Sequence, residues 1–229
     1  MSPVGALTFF LLSAIFRCMS RSPSFAGVIL AAGESARMDM DKALLPWPPQ
    51  VSGRTPSKET FLSAAIRSLT LCTDFVIVVA GQNEATLAPV VYACGATIVN
   101  NPDSSRGQFS SLQVGLREVL NRGRDAAVIA LVDRPPVSAQ TIQILQAAFE
   151  SAPRDIWAVA PEFGGQHGHP YLAGRELIEA FLQAPATATA RDIEQQHQQH
   201  IQYVPVSDPL VAVNVSTPEE YVALLERAK

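Results

Sequence analysis

The residues best placed to do chemistry follow an apolar run near the start of the chain. Val28–Ala32 predicts a buried strand, because consecutive apolar residues are typical of a strand covered on both faces. The run ends at Gly33, and a polar loop continues through Arg37 to Lys42. Free backbone N–H groups at a glycine turn and two cations together predict a polyphosphate site. The alternative is an ordinary turn with solvated charges, since the spacing matches neither a P-loop nor a dinucleotide fingerprint.

A carboxylate stands at the end of a second apolar run. Asp133 directly follows the predicted strand Ala126–Val132. Ligands of open α/β sheets bind beyond the carboxyl ends of the strands, so Asp133 is expected at the same edge as Gly33. Hard cations prefer oxygen ligands, which favours Mg²⁺ held by Asp133 against phosphate oxygens. The alternative is an aspartate that only caps the next turn.

Two further polar segments lie near predicted strand ends. Asn101 precedes a predicted helix that begins with Ser110 and Ser111, whose hydroxyls and free N–H groups could face a ligand. Plain capping of the helix is the alternative. His169, between Gly168 and Pro170, could contact a substrate or could be an ordinary surface histidine of a loop.

Alternating elements must position these residues. The predicted strands are Phe25–Ala32, Phe75–Ala80, Thr97–Val99, Ala126–Val132, Ile156–Ala160, Ile201–Pro205 and Val211–Val215. The predicted helices are Thr60–Leu71, Glu84–Ala93, Ser110–Arg122, Ser138–Glu150, Leu177–Phe181, Ala190–Gln196 and Pro218–Arg227, with caps at Ser138 and Thr217. This alternation predicts an α/β fold with a mostly parallel central sheet and helices on both faces.

Composition narrows the class of protein. Of 229 residues, 48% are hydrophobic and 17% are charged, which suits a globular enzyme better than a disordered chain. The net charge of −4 argues against nucleic acid or an anionic membrane as a partner. The three cysteines, Cys18, Cys72 and Cys94, form no C-x-x-C pair. A disulfide framework and a zinc module are therefore not expected, and a reducing, cytoplasmic compartment fits.

The first 24 residues are not expected to belong to the domain. Gly5–Phe16 is apolar but too short for an ordinary membrane span, and no lysine or arginine precedes it as in a signal peptide. We therefore expect the native chain to start at Met19. Residues 1–24 are interpreted as an extension and residues 25–229 as a single domain.

Taken in order, these motifs resemble the nucleotidyltransferases that act on the molybdenum cofactor, and more closely the molybdenum cofactor cytidylyltransferase-like branch. The resemblance runs from Val28 to Ala223 and rests on Leu30–Lys42, Asn101, Gly107–Leu116, Leu131–Pro135, Gly168–Pro170 and Val213–Glu220. The first motif is shared by many sugar-phosphate nucleotidyltransferases. The ordered set, with Gly-His-Pro included, is more specific to this branch.

The resemblance implies a Rossmann-like nucleotidyltransferase fold and a role for each matched position. Those positions are Leu30, Ala31, Ala32, Gly33, Asn101 and Ser111 for the nucleotide, Arg37 and Lys42 for the triphosphate, Asp133 and Asn214 for Mg²⁺, and His169 for the acceptor. Arg37, Lys42 and Asp133 are the catalytic residues that it implies. Ala32 is similar to the cytidylyl type, since guanylyl relatives usually have glycine there.

Several positions depart from the family pattern. Asp39 stands where glycine is usual, and Asn214 stands where many members have aspartate. Val132 and Arg134 replace the glycine and glutamine that commonly flank the metal-binding aspartate. Because the cations and Asp133 itself are retained, activity is still expected.

The resemblance implies Mg²⁺-dependent transfer of a nucleoside monophosphate, CMP from CTP, to a phosphorylated small-molecule acceptor of the molybdopterin type. Pyrophosphate would leave, and a molybdoenzyme that receives the product is the implied partner. A sugar- or alcohol-phosphate nucleotidyltransferase with the same loop is one alternative. A non-catalytic carrier of the molybdenum cofactor is an alternative from another class.

Overall fold

The computed structural model describes residues 23–33, 40–49 and 58–227. Several features singled out in the sequence lie outside these ranges. They are the expected start at Met19, Cys18, and the loop residues Arg37 and Asp39.

Strands and helices alternate along the described chain. The strands are β1 (Phe25–Leu30), β2 (Phe75–Ala80), β3 (Thr97–Asn100), β4 (Ala126–Leu131), β5 (Ala158–Phe163), β6 (Gln166–His167), β7 (Tyr171–Gly174) and β8 (Ile201–Pro205). The helices are α1 (Phe61–Thr70), α2 (Glu84–Ala93), α3 (Gln108–Asn121), α4 (Ala139–Ser151), α5 (Arg175–Gln183), α6 (Ala190–Gln196) and α7 (Pro218–Arg227). None of the described helices is long and apolar enough to cross a membrane.

All eight strands belong to one sheet with the order β3-β2-β1-β4-β7-β5-β6, and β8 pairs with β5. Strands β3, β2, β1 and β4 are parallel, and β8 is parallel to β5. Strand β7 runs antiparallel between β4 and β5, and β6 forms a hairpin with β5. The fold is therefore the α/β, mostly parallel, Rossmann-like arrangement that the sequence predicted.

Helices cover both faces of the sheet because neighbouring residues of the central strands point to opposite sides. Val28 and Ile77 pack with α3, α5 and α6, whereas Ile29 and Val78 pack with α1, α2 and α4. These four side chains have no exposed surface. Burial on both faces explains why β1 and β2 are continuously apolar in sequence.

The predicted strand Val211–Val215 is wrong. A 3-10 turn occupies Pro209–Ala212, and residues 213–216 are not part of the sheet. The apolar run is buried without strand pairing, because Val211 packs in the main core and Val215 packs with Phe61 and Leu224. The Val211 carbonyl accepts the N–H of His169, and the Val215 N–H donates to the Asp133 carbonyl. Val211 and Val215 thus each make one backbone hydrogen bond to a different loop, and they do not form the row of hydrogen bonds that a strand makes with its neighbour.

Helix α3 begins at Gln108 rather than at Ser110. Gly107 precedes it with a φ of 89°, a left-handed conformation that favours glycine. The two serines therefore lie inside the first turn and do not cap the helix. The predicted caps at Ser138 and Thr217 are confirmed, since their hydroxyls accept backbone N–H groups of α4 and α7.

Candidate active site

The carboxyl ends of the parallel strands form one edge of the sheet. The N–H of Ala31 donates to the Val79 carbonyl at 2.9 Å, and the N–H of Val132 donates to the Leu30 carbonyl at 3.1 Å. Pairing thus continues one residue past β1 and β4. The polar segments that follow these strands leave the sheet side by side, as expected for a ligand site of an open α/β sheet.

A cleft of about 500 Å³ lies at this edge, a volume typical of small-molecule sites. The structure brings six of the predicted residues together along its walls: Leu30, Ala32, Gly33, Lys42, Ser111 and Asp133. Turns that follow β2 and β3 complete the walls with Gln82, Ser104, Ser105, Gly107 and Gln108. The side chain of Ala31 instead packs in the core.

Gly33 lies exposed at the cleft, and the described part of the fold does not require a glycine there. A Cβ built on Gly33 meets no atom of the described residues within 4 Å, and Gly33 is not among the described glycines with positive φ. The open space above its backbone therefore suits the close approach of a ligand.

Lys42 is held in place by its neighbours. Asp41 Oδ1 accepts the N–H of Ala43 at 3.0 Å and so caps the turn that Lys42 begins. Asn83 Nδ2 donates to Asp41 Oδ2 at 2.6 Å and to the Ala31 carbonyl at 2.9 Å. One amide thus ties together the two ends of the loop that leads from β1 to Lys42.

Asn101 acts on the first turn of α3 from a buried position. It is only 4% exposed, and its Nδ2 donates to the hydroxyls of Ser110 and Ser111 at 2.9 Å each. The Ser110 hydroxyl donates in turn to the Gly107 carbonyl at 2.8 Å. Asn101 therefore orients Ser111, which lines the cleft, and does not itself line it.

Asp133 and Asn214 are brought together by their backbones. The Asp133 carbonyl accepts the N–H of Val215 at 2.8 Å, which places Asn214 next to it. Asp133 Oδ1 is buried and has no hydrogen-bond partner in the described chain. Asn214 is exposed, and its Nδ2 donates to Ser216 at 2.8 Å. A lone carboxylate oxygen and a neighbouring amide suit a hard cation that takes its other ligands from phosphate.

A second cavity, of about 480 Å³, adjoins the cleft and contains His169 and Arg134. Burial and the charge of Arg134 lower the pKa of His169 to about 3, so its imidazole is neutral at physiological pH. Burial likewise lowers the pKa of Arg134, although Asp133 opposes this shift. His169 Nδ1 and Arg134 Nε are buried without partners in the described chain.

The Gly-His-Pro segment has a packing reason as well as a chemical one. A Cβ on Gly168 would overlap the Val211 carbonyl oxygen, so only glycine fits. The Gly168 N–H donates to Pro161 at 2.8 Å, and the His169 N–H donates to Val211 at 2.9 Å. These contacts fix the backbone that presents His169 to the cavity.

Several residues at the site were missed by the sequence prediction, among them Asn83, Tyr171 and Glu194. Asn83 follows β2, and the rule that polar groups collect beyond strand ends could have found it. Tyr171 and Glu194 line the second cavity together, but they lie on β7 and α6. No local pattern links two positions so far apart in the chain.

Comparisons with known proteins agree on one family. The pattern of the MobA-like NTP transferase domain matches residues 27–201. The chain is 23% identical to the molybdenum cofactor cytidylyltransferase of Escherichia coli strain K12, over 87% of this chain and 95% of that protein. It is 27% identical to a probable molybdenum cofactor guanylyltransferase of Rhodopirellula baltica, over 86% and 90% respectively.

Solved structures share the fold. The crystal structure of Rv0371c from Mycobacterium tuberculosis H37Rv superimposes with a TM-score of 0.73 at 23% identity, covering 90% of this chain and 99% of that one. A manganese complex of the same protein gives a TM-score of 0.67 at 21% identity, over 89% and 98%. The domain match covers most of the sheet and all the residues that line the cleft. The chain therefore belongs to the MobA-like NTP transferase domain family and is a nucleotidyltransferase of that type.

Proposed function

We propose that this nucleotidyltransferase moves CMP from CTP onto a phosphorylated acceptor of the molybdopterin type. The observation that carries the proposal is the unpaired, buried Oδ1 of Asp133, at the wall of the cleft that also contains Gly33 and Lys42. Leaving a buried carboxylate oxygen unpaired costs free energy unless a ligand satisfies it. A metal-bound triphosphate would do so.

Asp133 and Asn214 are the residues that would hold Mg²⁺. The Asp133 carboxylate offers its free oxygen, and Asn214 can offer its amide oxygen because its amide nitrogen already donates to Ser216. Within the described ranges no three His, Cys, Asp or Glu residues cluster into a metal site, which suits an ion completed by phosphate oxygens. When bound, the ion stabilises negative charge that develops on the phosphates.

The transfer needs little from the protein beyond positioning and charge. An oxygen of the acceptor phosphate forms a bond to the α-phosphorus of CTP. The bond from that phosphorus to the bridging oxygen breaks, and its electron pair leaves with pyrophosphate. Lys42 and Arg37 would stabilise the leaving pyrophosphate. The acceptor phosphate is already an anion, so no general base and no covalent enzyme intermediate are required.

The second cavity is the proposed acceptor site. It shares Leu30, Gly107 and Gln108 with the cleft, so a molecule bound there can reach the α-phosphate. Arg134 lies in this cavity directly after Asp133 and can pair with the acceptor phosphate. His169 would contact the acceptor as a neutral hydrogen-bonding group.

Three finer assignments belong to the same proposal. Ala32 lines the cleft at the position where the resemblance gives guanylyl relatives a glycine, which supports CTP over GTP. A molybdenum cofactor acceptor is supported by the names of the curated relatives, and a molybdoenzyme that receives the product is part of the proposal. A cytoplasmic location is supported by the free thiols of Cys72 and Cys94.

The test is a panel of nucleotides and acceptors read by pyrophosphate release in Mg²⁺. CTP with molybdopterin should give the highest kcat/KM. Asp133→Asn should lower kcat by roughly 10²–10³-fold, as losses of such electrostatic groups do. Asp155→Asn, at an exposed aspartate before β5, is the matched control and should keep wild-type rates.

Other outcomes contradict the proposal in distinct ways. Release of pyrophosphate with sugar or alcohol phosphates alone would assign the chain to that class of acceptor. Failure to bind any nucleoside triphosphate with Mg²⁺ by calorimetry would support a non-catalytic carrier. Full activity of Asp133→Asn would remove the metal assignment.

A further inference from the structure

Helix α7 is joined to the fold through a small apolar cluster that lies apart from the two cores of the sheet. The buried members of this C-terminal cluster are Leu45, Phe61, Val213, Val215 and Leu224. Tyr221 of α7 packs against them, and neither of the two larger cores contains a described residue of α7. Elements held by few buried apolar side chains open at a lower free energy than the rest of a fold. Helix α7 is therefore expected to detach before the sheet unfolds.

One side of the C-terminal cluster holds the segment that Lys42 begins. Leu45 is 4% exposed, and its N–H donates to the Lys42 carbonyl at 3.1 Å. The Tyr221 hydroxyl donates to the carbonyl of Pro46, the next residue along the chain, at 2.8 Å. Helix α7 is therefore bonded directly to the short segment that presents Lys42 to the cleft.

The contribution of the Tyr221 hydroxyl can be separated from the packing of its ring. The Phe61 ring contacts both Trp47 and Tyr221, with ring centroids 5.3 Å and 5.9 Å apart. The Trp47 N–H also donates to the Glu59 carbonyl at 2.8 Å. Because these contacts do not involve the hydroxyl, a phenylalanine at position 221 would keep them and lose only the bond to Pro46.

The other side of the C-terminal cluster holds Asn214. Val213 and Val215 are 8% and 1% exposed, whereas Asn214 between them is exposed. The two valines anchor the backbone in the cluster and leave the Asn214 amide outside it. The Val215 N–H also donates to the Asp133 carbonyl at 2.8 Å. The same anchor therefore holds both residues proposed to bind the metal.

The beginning of α7 is connected to Asn214 by a reciprocal cap. The Glu220 carboxylate accepts the N–H groups of Ser216 and Thr217, and the Thr217 hydroxyl accepts the Glu220 N–H at 3.3 Å. Asn214 Nδ2 donates to the Ser216 hydroxyl at 2.8 Å. Because Ser216 takes part in both sets of contacts, a displacement of α7 would reach the Asn214 amide.

We propose that α7 is a clasp and that Tyr221 is a positioning residue, because together they fix the separation of Lys42 from Asn214. The roles of Lys42 and Asn214 rest on the proposed function. No described residue of α7 lines the nucleotide cleft, so the helix acts only through the two segments that it joins. A metal-bound triphosphate would span both groups. Its binding therefore favours the docked helix, and the docked helix raises the affinity for it by the same factor.

The first experiment measures nucleotide binding without turnover. Tyr221→Phe should raise the Kd for CTP with Mg²⁺ by about fivefold in calorimetric titrations, which is the effect expected of one hydrogen bond. The titrations are run well below the melting temperature of the variant. Tyr92→Phe, at an exposed tyrosine of α2, is the matched control and should keep the wild-type Kd.

A double-mutant cycle separates positioning from a general weakening of the protein. In an Asn214→Ala background, Tyr221→Phe should change the Kd for CTP by less than about twofold, because the separation matters only while both groups are present. In turnover, Tyr221→Phe should raise the KM for CTP about fivefold and leave the KM for the acceptor within about twofold. A fivefold effect that persists in the Asn214→Ala background would overturn the clasp.

The second experiment tests the reverse effect on the full chain. Amide hydrogen exchange in α7 should slow by at least about tenfold in wild type when CTP and Mg²⁺ are added, and clearly less in Tyr221→Phe. CTP is supplied at about 100 times the Kd of each protein, so that the global stabilisation by the ligand is the same in both. A different response of α7 then reports the local contact between Tyr221 and Pro46.

The outcomes separate the clasp from the proposed function. Wild-type CTP affinity in Tyr221→Phe, or equal slowing of exchange in the two proteins, overturns the clasp even if cytidylyl transfer to molybdopterin is observed. If no acceptor supports pyrophosphate release but the affinity for CTP depends on Tyr221 through Asn214, the proposed function fails and the clasp stands.

Discussion

At the scale of single residues, unpaired polar atoms mark the site. Four of the five buried side-chain atoms without a hydrogen-bond partner in the described chain belong to Asp133, Arg134, His169 and Tyr171. The fifth is Arg124 Nε, which lies 2.7 Å from Asp74 in an ion pair. Folded proteins pair nearly all such groups, because an orphan costs about 1–3 kcal/mol. The four remaining unpaired atoms lie around two adjoining cavities, as expected for sites that bind polar ligands.

Two glycines should separate function from folding. Gly33→Ala should leave the free energy of unfolding within about 0.5 kcal/mol of wild type, because its Cβ meets no atom in the part of the chain that the structure describes. It should weaken CTP binding by roughly tenfold, since the methyl group occupies the approach to the phosphates.

Gly168→Ala is the contrasting variant and should cost about 1–3 kcal/mol of stability, because its Cβ would overlap the Val211 carbonyl. Urea unfolding and calorimetry with CTP measure both effects. Unchanged CTP affinity in Gly33→Ala would contradict a phosphate role for this turn.

His169 should make the protein less stable in acid. Its folded-state pKa of about 3 lies below the ordinary value of 6.5, so the unfolded chain binds a proton that the folded chain refuses. Stability is therefore fully present above about pH 6.5 and is lost as the pH falls toward about pH 3. Between about pH 7 and about pH 5, wild type should lose about 2 kcal/mol more than His169→Gln does.

Urea unfolding at both pH values measures this difference. His167→Gln, at an exposed histidine two residues away, is the matched control and should keep the wild-type loss. An equal loss in wild type and His169→Gln would show that the imidazole is not buried in its neutral form.

At the scale of elements, the turn after β2 positions the loop after β1. Asn83 connects the Ala31 carbonyl to Asp41, which caps the turn that begins at Lys42. Asn83→Ala and Asp41→Ala should each weaken CTP binding, although neither side chain is among those that line the cleft. Their effects on stability should be non-additive by about 1 kcal/mol in a double-mutant cycle, because each variant removes the same hydrogen bond. Glu84→Ala, at the first residue of α2, is the control, because it changes another side chain next to Asn83 without removing the hydrogen bond between Asn83 and Asp41. Strictly additive effects would show that the two side chains act separately.

The sequence predicts helices and strands well where the spacing of apolar residues follows one pattern, either that of a helix or that of a strand. Helix α6 and strands β2 and β8 begin and end at the predicted residues, because β-branched runs and helical spacing are strong local signals. The prediction failed at Val211–Val215, where Val211 packs in the main core and Val215 packs with residues of α1 and α7, although neither valine pairs with a strand. It also placed the start of α3 too late, since Gly107 supports the helix through its positive φ rather than through a capping side chain.

The site was predictable to the extent that strand ends locate it. Gly33, Lys42 and Asp133 follow apolar runs, and the parallel sheet then places them at one edge. The wall formed by Tyr171 and Glu194 was not predictable. It depends on antiparallel β7 lying next to β4 and on α6 covering the same face, and both are long-range features.

At the scale of the whole molecule, the two cavities divide between the two halves of the sheet. The parallel strands β1 to β4 end at the nucleotide cleft, whereas β7 and α6 supply the far wall of the acceptor cavity. Strand β4 belongs to both halves, and Asp133 and Arg134 follow it in sequence. The donor and acceptor phosphates would therefore meet where the two halves join.

Because the cleft is built from the ends of the central strands, triphosphate binding should stabilise the entire fold against unfolding. CTP with Mg²⁺ at about 100 times its dissociation constant should add about 2.7 kcal/mol to the free energy of unfolding. For a chain of this size, that corresponds to a rise of roughly 5–10 °C in melting temperature. The rise should depend on the divalent ion and should be much smaller in Asp133→Asn, whose unpaired oxygen is the proposed ligand of the ion. Calorimetric scans with and without chelator measure it, and Asp155→Asn serves as the control. An equal rise in Asp133→Asn would mean that the triphosphate binds without this carboxylate, and the metal would have to be placed elsewhere in the cleft.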